Sequence, residues 1–131
     1  MGVTVKFDDE LAQTLYYEFA DKWNWTEYLA AFEQELVLVK DLDRYDVIAN
    51  LLPGDYFPGG PGLTSLYSTF RRTPPTMKLL VIVTGSRAVH YILNLMKKIY
   101  PEMINIFQVV STMEEARQIL RQRGSQSLTH L

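Results

Sequence analysis

A chain of 131 residues, 47% hydrophobic and 12% aromatic, has the length and composition of one packed domain with a single core. It has no cysteine, which excludes a disulfide framework and thiolate chemistry, and no apolar run approaches the ~20 residues that a membrane-spanning helix needs. The net charge of −2 is unevenly spread: residues 1–60 carry twelve Asp/Glu and four Lys/Arg, a sum of −8, and residues 61–131 carry three and nine, a sum of +6. Solvated faces of opposite sign are one reading of that split, and head-to-tail or partner docking through complementary charge is the other. Residues 1–6 lack the basic-then-apolar layout of a signal peptide, so a cytoplasmic protein is the expectation.

Val3-Thr4-Val5-Lys6-Phe7 alternates apolar and polar residues and predicts a half-buried strand. Asp8-Asp9-Glu10 is a charged turn. Thr14-Leu15-Tyr16-Tyr17-Glu18-Phe19 predicts a second strand, close enough to form an antiparallel hairpin near a sheet edge. Asn24-Trp25-Thr26-Glu27 has the spacing of a capping box. Trp25, Tyr28, Leu29, Phe32, Leu36 and Val39 then recur every three or four residues, which predicts a helix over about 25–40 with Glu27, Glu33 and Glu35 on its acidic outer face.

Tyr45 to Leu52 predicts the third strand. In residues 53–62, seven of ten are Pro or Gly, a composition that excludes regular structure and is long for a connection. A short helix follows over Leu63 to Arg72, stopped by Thr73-Pro74-Pro75. Lys78 to Gly85 contains five consecutive apolar residues and predicts the central strand, buried on both faces. Ser86 can cap a third helix with the stripe Val89, Ile92, Leu93, Met96 and Tyr100, with Lys97 and Lys98 in its last turns and Pro101 ending it. Ile104 to Val110 predicts the fifth strand. Ser111 or Thr112 caps a fourth helix, with Glu114 or Glu115 completing the box, Met113, Ala116, Ile119 and Leu120 inward, and Gly124 ending it. Residues 1–123 then form a single α/β domain and 124–131 a flexible tail. The order is β-β-α-β-α-β-α-β-α, a mixed five-stranded sheet with four helices, which right-handed crossovers place on one or both faces.

This order resembles the STAS or anti-sigma-factor-antagonist fold, and within it the bacterial SpoIIAA-like proteins. The local reminders are Glu18-Phe19-Ala20-Asp21-Lys22-Trp23 leading into Trp25-Thr26-Glu27-Tyr28, and Ser111-Thr112-Met113-Glu114-Glu115-Ala116 opening the last helix. In the antagonists of that family a phosphorylated Ser follows an Asp at the N-terminus of the helix after the third strand. Here Asn50 ends the strand, the Pro/Gly loop intervenes, and Thr64 and Ser65 are the nearest hydroxyls, neither following an Asp. The resemblance implies a regulatory or binding module rather than an enzyme, with Thr64 and Ser65 as the candidate phosphorylation sites.

Ligands of open sheets gather at the carboxyl ends of the parallel strands. That rim would hold Asn50, Tyr56, Phe57, Thr64, Ser65, Thr84, Gly85, Ser86, Arg87, Ser111 and Thr112, with three helix N-termini converging. Ordinary capping explains the hydroxyls equally well. Tyr56 and Phe57 would be an exposed contact point capping the rim, against Leu63 and Tyr67 of the next helix or against a second chain. Trp23 and Trp25 would cover one end of the core. His90 and His130 have no partners in sequence that suggest a triad or a metal site. The basic set Lys97, Lys98, Arg117, Arg121 and Arg123 has too few interleaved aromatics to indicate nucleic acid. The leading expectation is a non-enzymatic module, without cofactor or metal, that docks a protein partner or a second copy of itself through the rim. The alternative is a small-molecule binding protein for an anionic or lipid-like ligand, or a minor enzyme. It would use the same rim as a pocket, with Thr84, Ser86 and Arg87 holding a phosphate or carboxylate.

Overall fold

The computed structural model describes residues 2–60 and 62–129, with side chains described as far as Arg123. The elements run β1 (Val3–Phe7), β2 (Thr14–Phe19), α1 (Trp25–Leu38), β3 (Tyr45–Asn50), α2 (Gly62–Arg72), β4 (Met77–Val83), α3 (Arg87–Ile99), β5 (Phe107–Val110) and α4 (Met113–Thr129). The five strands lie in sequential order, β1-β2-β3-β4-β5. β1 is antiparallel to β2, and the remaining pairs are parallel. The expected α/β class, hairpin and element order are all present.

Because every crossover steps the same way along the sheet, right-handed connections place α1, α2 and α3 on one face. Tyr17, Val47, Ala49, Ile82 and Phe107 point into that layer. The alternate residues Ile48, Leu79, Val81 and Val83 point to the other face, where Ala116 and Leu120 of α4 cover them. β4 is therefore buried on both faces, as its apolar run predicts. It is not the middle strand, however; β3 is, between β2 and β4. An apolar run reports cover from above and below, and says nothing about the number of strands on either side.

Other expectations change at element ends. Ile104 to Ile106 is not strand: a 3₁₀ turn at Pro101–Met103 carries the chain round, and β5 begins at Phe107. The Pro/Gly segment holds a 3₁₀ turn of its own at Leu52–Gly54, which suits a proline at its start. Gly124 does not end the last helix, which runs on to Thr129. The expected flexible tail thus begins with helical backbone, and His130 lies outside the described residues. Glu35, assigned to an outer face, is buried at 5% exposure. The inward face of α1 is centred on Trp25, Ala31, Phe32 and Glu35, so Leu29 turns outward.

The caps form as their sequences demand. Asn24 Oδ1 accepts the Glu27 N–H at 2.9 Å, and Glu27 reaches back to the Asn24 N–H. Ser86 Oγ accepts from Val89, and Thr112 Oγ1, not Ser111, accepts from Glu115. Part of the charge asymmetry is met within the molecule. Arg117 pairs with Asp8 at 2.8 Å, Arg121 with Glu10 at 3.1 Å and Arg123 with Asp46 at 3.1 Å, tying basic α4 to the acidic N-terminal half.

Candidate functional site

The rim at the carboxyl ends of β3 and β4 is organised by a residue the sequence did not single out. Asp55, in the Pro/Gly loop, accepts the Thr84 hydroxyl with one carboxylate oxygen and the Gly85 N–H with the other, at 2.7 Å for the latter. Thr84 is fully buried and its Oγ1 also accepts the Ser86 N–H. Asn50 donates to the Tyr16 hydroxyl at 2.8 Å and accepts the Leu52 N–H at 3.1 Å. Among the described residues no buried side-chain polar atom lacks a hydrogen-bond partner. The rim polar groups thus answer one another, and ahead of α3 a carboxylate already takes the Gly85 N–H while hydroxyls take those of Ser86 and Val89. An incoming phosphate would meet the charge of that carboxylate.

The structure brings Thr84, Gly85 and Ser86 together around this latch, whereas Asn50 at the end of β3 engages Tyr16 and Leu52 instead. His90 joins the latch through Nε2, 3.3 Å from the Thr84 carbonyl oxygen. Arg87 is exposed in the first turn of α3. Thr64 is exposed on α2, whereas Ser65 beside it is buried. Ser111 and Thr112 are exposed ahead of α4.

The ring partners of Tyr56 and Phe57 are the two tryptophans. The two loop residues close over the tryptophan corner. The Tyr56 hydroxyl donates to the Trp23 carbonyl at 2.6 Å, and the Phe57 ring lies 5.6 Å from Trp25 and 6.2 Å from Trp23. The two indoles answer in kind: Trp23 Nε1 donates to the Gly54 carbonyl and Trp25 Nε1 to that of Pro58, both at 3.1 Å. Aromatic rings with polar handles seek such partners when buried. Glycine is required at two points of the contact. A Cβ at Gly54 would meet the Ala20 carbonyl oxygen at 2.2 Å, and one at Gly62 would meet Trp25 Cζ2 at 2.7 Å. Trp23 and Trp25 thus close one end of the core as expected, with the loop as their lid.

Beneath that lid, between the sheet and α1–α3, lies an apolar cavity of about 100 Å³. Aromatic walls come from Tyr17, Phe19, Trp25, Tyr28, Phe32 and Phe107, and flexible ones from Met77, Met96 and Met103. A wider hollow of about 380 Å³ adjoins it, sharing Phe70, Thr73, Met77 and Ile106. These residues lie near the start of β4 and ahead of β5, so the hollow is at the opposite end from the rim.

Glu35 is the one charged residue on the described cavity wall. Each of its oxygens accepts a phenol, Oε1 from Tyr17 at 2.6 Å and Oε2 from Tyr45 at 2.7 Å. Burial raises its pKa, and the two phenolic hydrogen bonds only partly oppose that. Its position was legible in one respect. Residue 35 is three past Phe32 and seven past Tyr28, on the apolar stripe. Its partners, ten and eighteen residues away, follow no local spacing.

The described residues contain no group of three or more His, Cys, Asp or Glu placed to hold a metal ion, and no helix long and apolar enough to cross a membrane. Comparison with known proteins gives no match to any family model, curated protein or solved structure.

Proposed function

We propose that this chain is a non-enzymatic binding protein that takes a small apolar molecule into the cavity between its sheet and α1–α3. The observation that carries the reading is the cavity itself. Protein interiors are packed with few voids larger than a water molecule, yet this core keeps an aromatic- and methionine-walled space beside an outer hollow. Apolar, concave, largely preformed sites of this kind suit small molecules. An apolar cavity of ~150 Å³ is known to take benzene, so one ring or a short chain is the expected size, with the three methionines adjusting around it. The test is thermal unfolding with benzene, toluene and ethylbenzene. A ligand at 100 times its dissociation constant adds about 2.7 kcal/mol of stability. No stabilisation by any of the three would overturn the reading.

A second reading keeps the regulatory, protein-docking role at the rim. Leu52 and Tyr56 are exposed there at 41% and 37%, on the same loop as the Asp55 latch. That is a small apolar face in a setting whose polar groups are already engaged, and it suits a protein partner or a second copy better than an anion. The sequential strand order with helices following each parallel strand supports an SpoIIAA-like arrangement, in keeping with such a role. Leu52→Ser should then weaken self-association in sedimentation velocity or recovery of a partner. No change in either would remove this reading.

A further inference from the structure

Glu35 poses a physical problem that the fold leaves open. A carboxylate taken out of water needs a counter-charge or a proton. The two phenols supply hydrogen bonds to both oxygens but no positive charge. No Lys, Arg or His stands on the described cavity wall. The faces of the surrounding rings carry the negative end of their quadrupoles. Tyr28 is the hub of that cluster, with centroids 6.5 Å from Tyr17, 6.1 Å from Phe19 and 5.9 Å from Trp25. The wall is therefore one carboxylate among aromatic rings and otherwise apolar; two of those rings already meet a cation, Phe32 with Arg72 at 5.4 Å and Phe107 with Lys97 at 4.7 Å. A cation with a hydrocarbon body meets both conditions at once, by pairing with the carboxylate and lying against ring faces.

We propose that the ligand of this cavity is a small apolar amine, its ammonium held by the Glu35 carboxylate and its body by the surrounding rings. This rests on the cavity being a ligand site, and it adds the chemical class. The other titratable groups near Glu35 are Tyr17 on β2, Tyr45 on β3 and Tyr28 on α1. Burial first, and the Glu35 charge besides, push all three phenols above their ordinary range, so they stay neutral. α2 faces the cavity with Leu66, Thr69 and Phe70, and α3 with Leu93 and Met96, none of them titratable, while Arg72 of α2 and Lys97 of α3 lie over the Phe32 and Phe107 rings at 5.4 Å and 4.7 Å. Of the titratable groups on the wall itself, Glu35 is the one that changes charge. Ammonium binding requires its ionised form, so amine affinity rises with pH through the Glu35 titration and falls again only where the amine itself loses its proton.

The experiment compares benzylamine, protonated at neutral pH, with ethylbenzene, its neutral isostere, by tryptophan fluorescence, since Trp23 and Trp25 line the cavity. The wild-type chain should bind benzylammonium at least about tenfold more tightly than ethylbenzene, and the preference should shrink as the pH is lowered. In Glu35→Gln it should vanish while ethylbenzene binding persists. If that variant does not fold, the pH dependence of the wild-type preference decides the matter. Equal binding of both probes at every pH, or tighter binding of ethylbenzene throughout, would overturn the amine assignment and leave the cavity reading standing. Binding of neither would overturn both.

Discussion

Asp55 accepts the backbone N–H of Gly85 at 2.7 Å across thirty residues of sequence. With the Thr84 hydroxyl on its other oxygen, this carboxylate pins the middle of a loop rich in proline and glycine to the end of β4. Asp55→Ala should cost about 1–3 kcal/mol in urea unfolding, because a buried hydroxyl and an amide lose their acceptor. Asp55→Asn, which keeps an acceptor oxygen, should cost less. A loss below roughly 0.5 kcal/mol for the alanine variant would show that the loop is held elsewhere.

Elsewhere means Phe57 and the indoles. Phe57→Ala should leave the fold intact by circular dichroism, yet open the rim end of the cavity and raise quenching of Trp23 and Trp25 fluorescence by acrylamide. Tyr56→Phe should keep the quenching of the native chain and lose about 1 kcal/mol, the worth of its hydrogen bond to the Trp23 carbonyl. Equal quenching in Phe57→Ala and wild type would mean that the ring is not the stopper.

Acid stability should depend on Arg117. Burial alone would raise the pKa of Asp8, but the Arg117 guanidinium and the N–H groups of Glu10 and Leu11 outweigh it and hold the carboxyl below its usual range. A carboxyl depressed in the folded state stabilises it above the unfolded-state pKa, and that contribution disappears as pH falls through the folded value. Arg117→Met should flatten this acid limb of the stability–pH profile without altering the slope near neutrality. An unchanged acid limb would assign it to other carboxylates.

Two isoleucines test the two faces of the sheet. Ile48→Ala and Ile82→Ala should each cost about 2–5 kcal/mol, since each leaves a void under a packed layer. Ile82 borders the cavity and Ile48 faces α4. Toluene should stabilise both variants through the cavity they share with the native chain, and Ile82→Ala by the larger amount, because its void adds to that cavity. An equal gain in the two would mean that the Ile82 void does not join the cavity.

Periodicity and capping made most of the framework legible. The alternation in β1, the Asn24–Glu27 box, the Ser86 cap and the doubly buried run of β4 are local patterns with local causes, and they stand where the sequence puts them. What was missed depends on long-range meetings. Gly124 reads as a stop, yet α4 passes through it. Glu35 reads as one acid among several on α1, until Tyr17 and Tyr45 arrive from neighbouring strands. Asp55 is a lone acid in a turn, until β4 ends beside it. Tyr56 and Phe57 were recognised as the apolar points of their loop, but their destination was set by the tryptophans some thirty residues earlier, which no spacing rule connects to them.

The arrangement of layers has a consequence for biosynthesis. Three helices reach the first face in step with the strands they connect, whereas the second face waits for α4, which follows all five strands in chain order. Until α4 has left the ribosome, Ile48, Leu79, Val81 and Val83 form a bare apolar ribbon on a nearly finished sheet. A nascent chain stalled within α4 would therefore resemble a folded protein on one side and a chaperone substrate on the other.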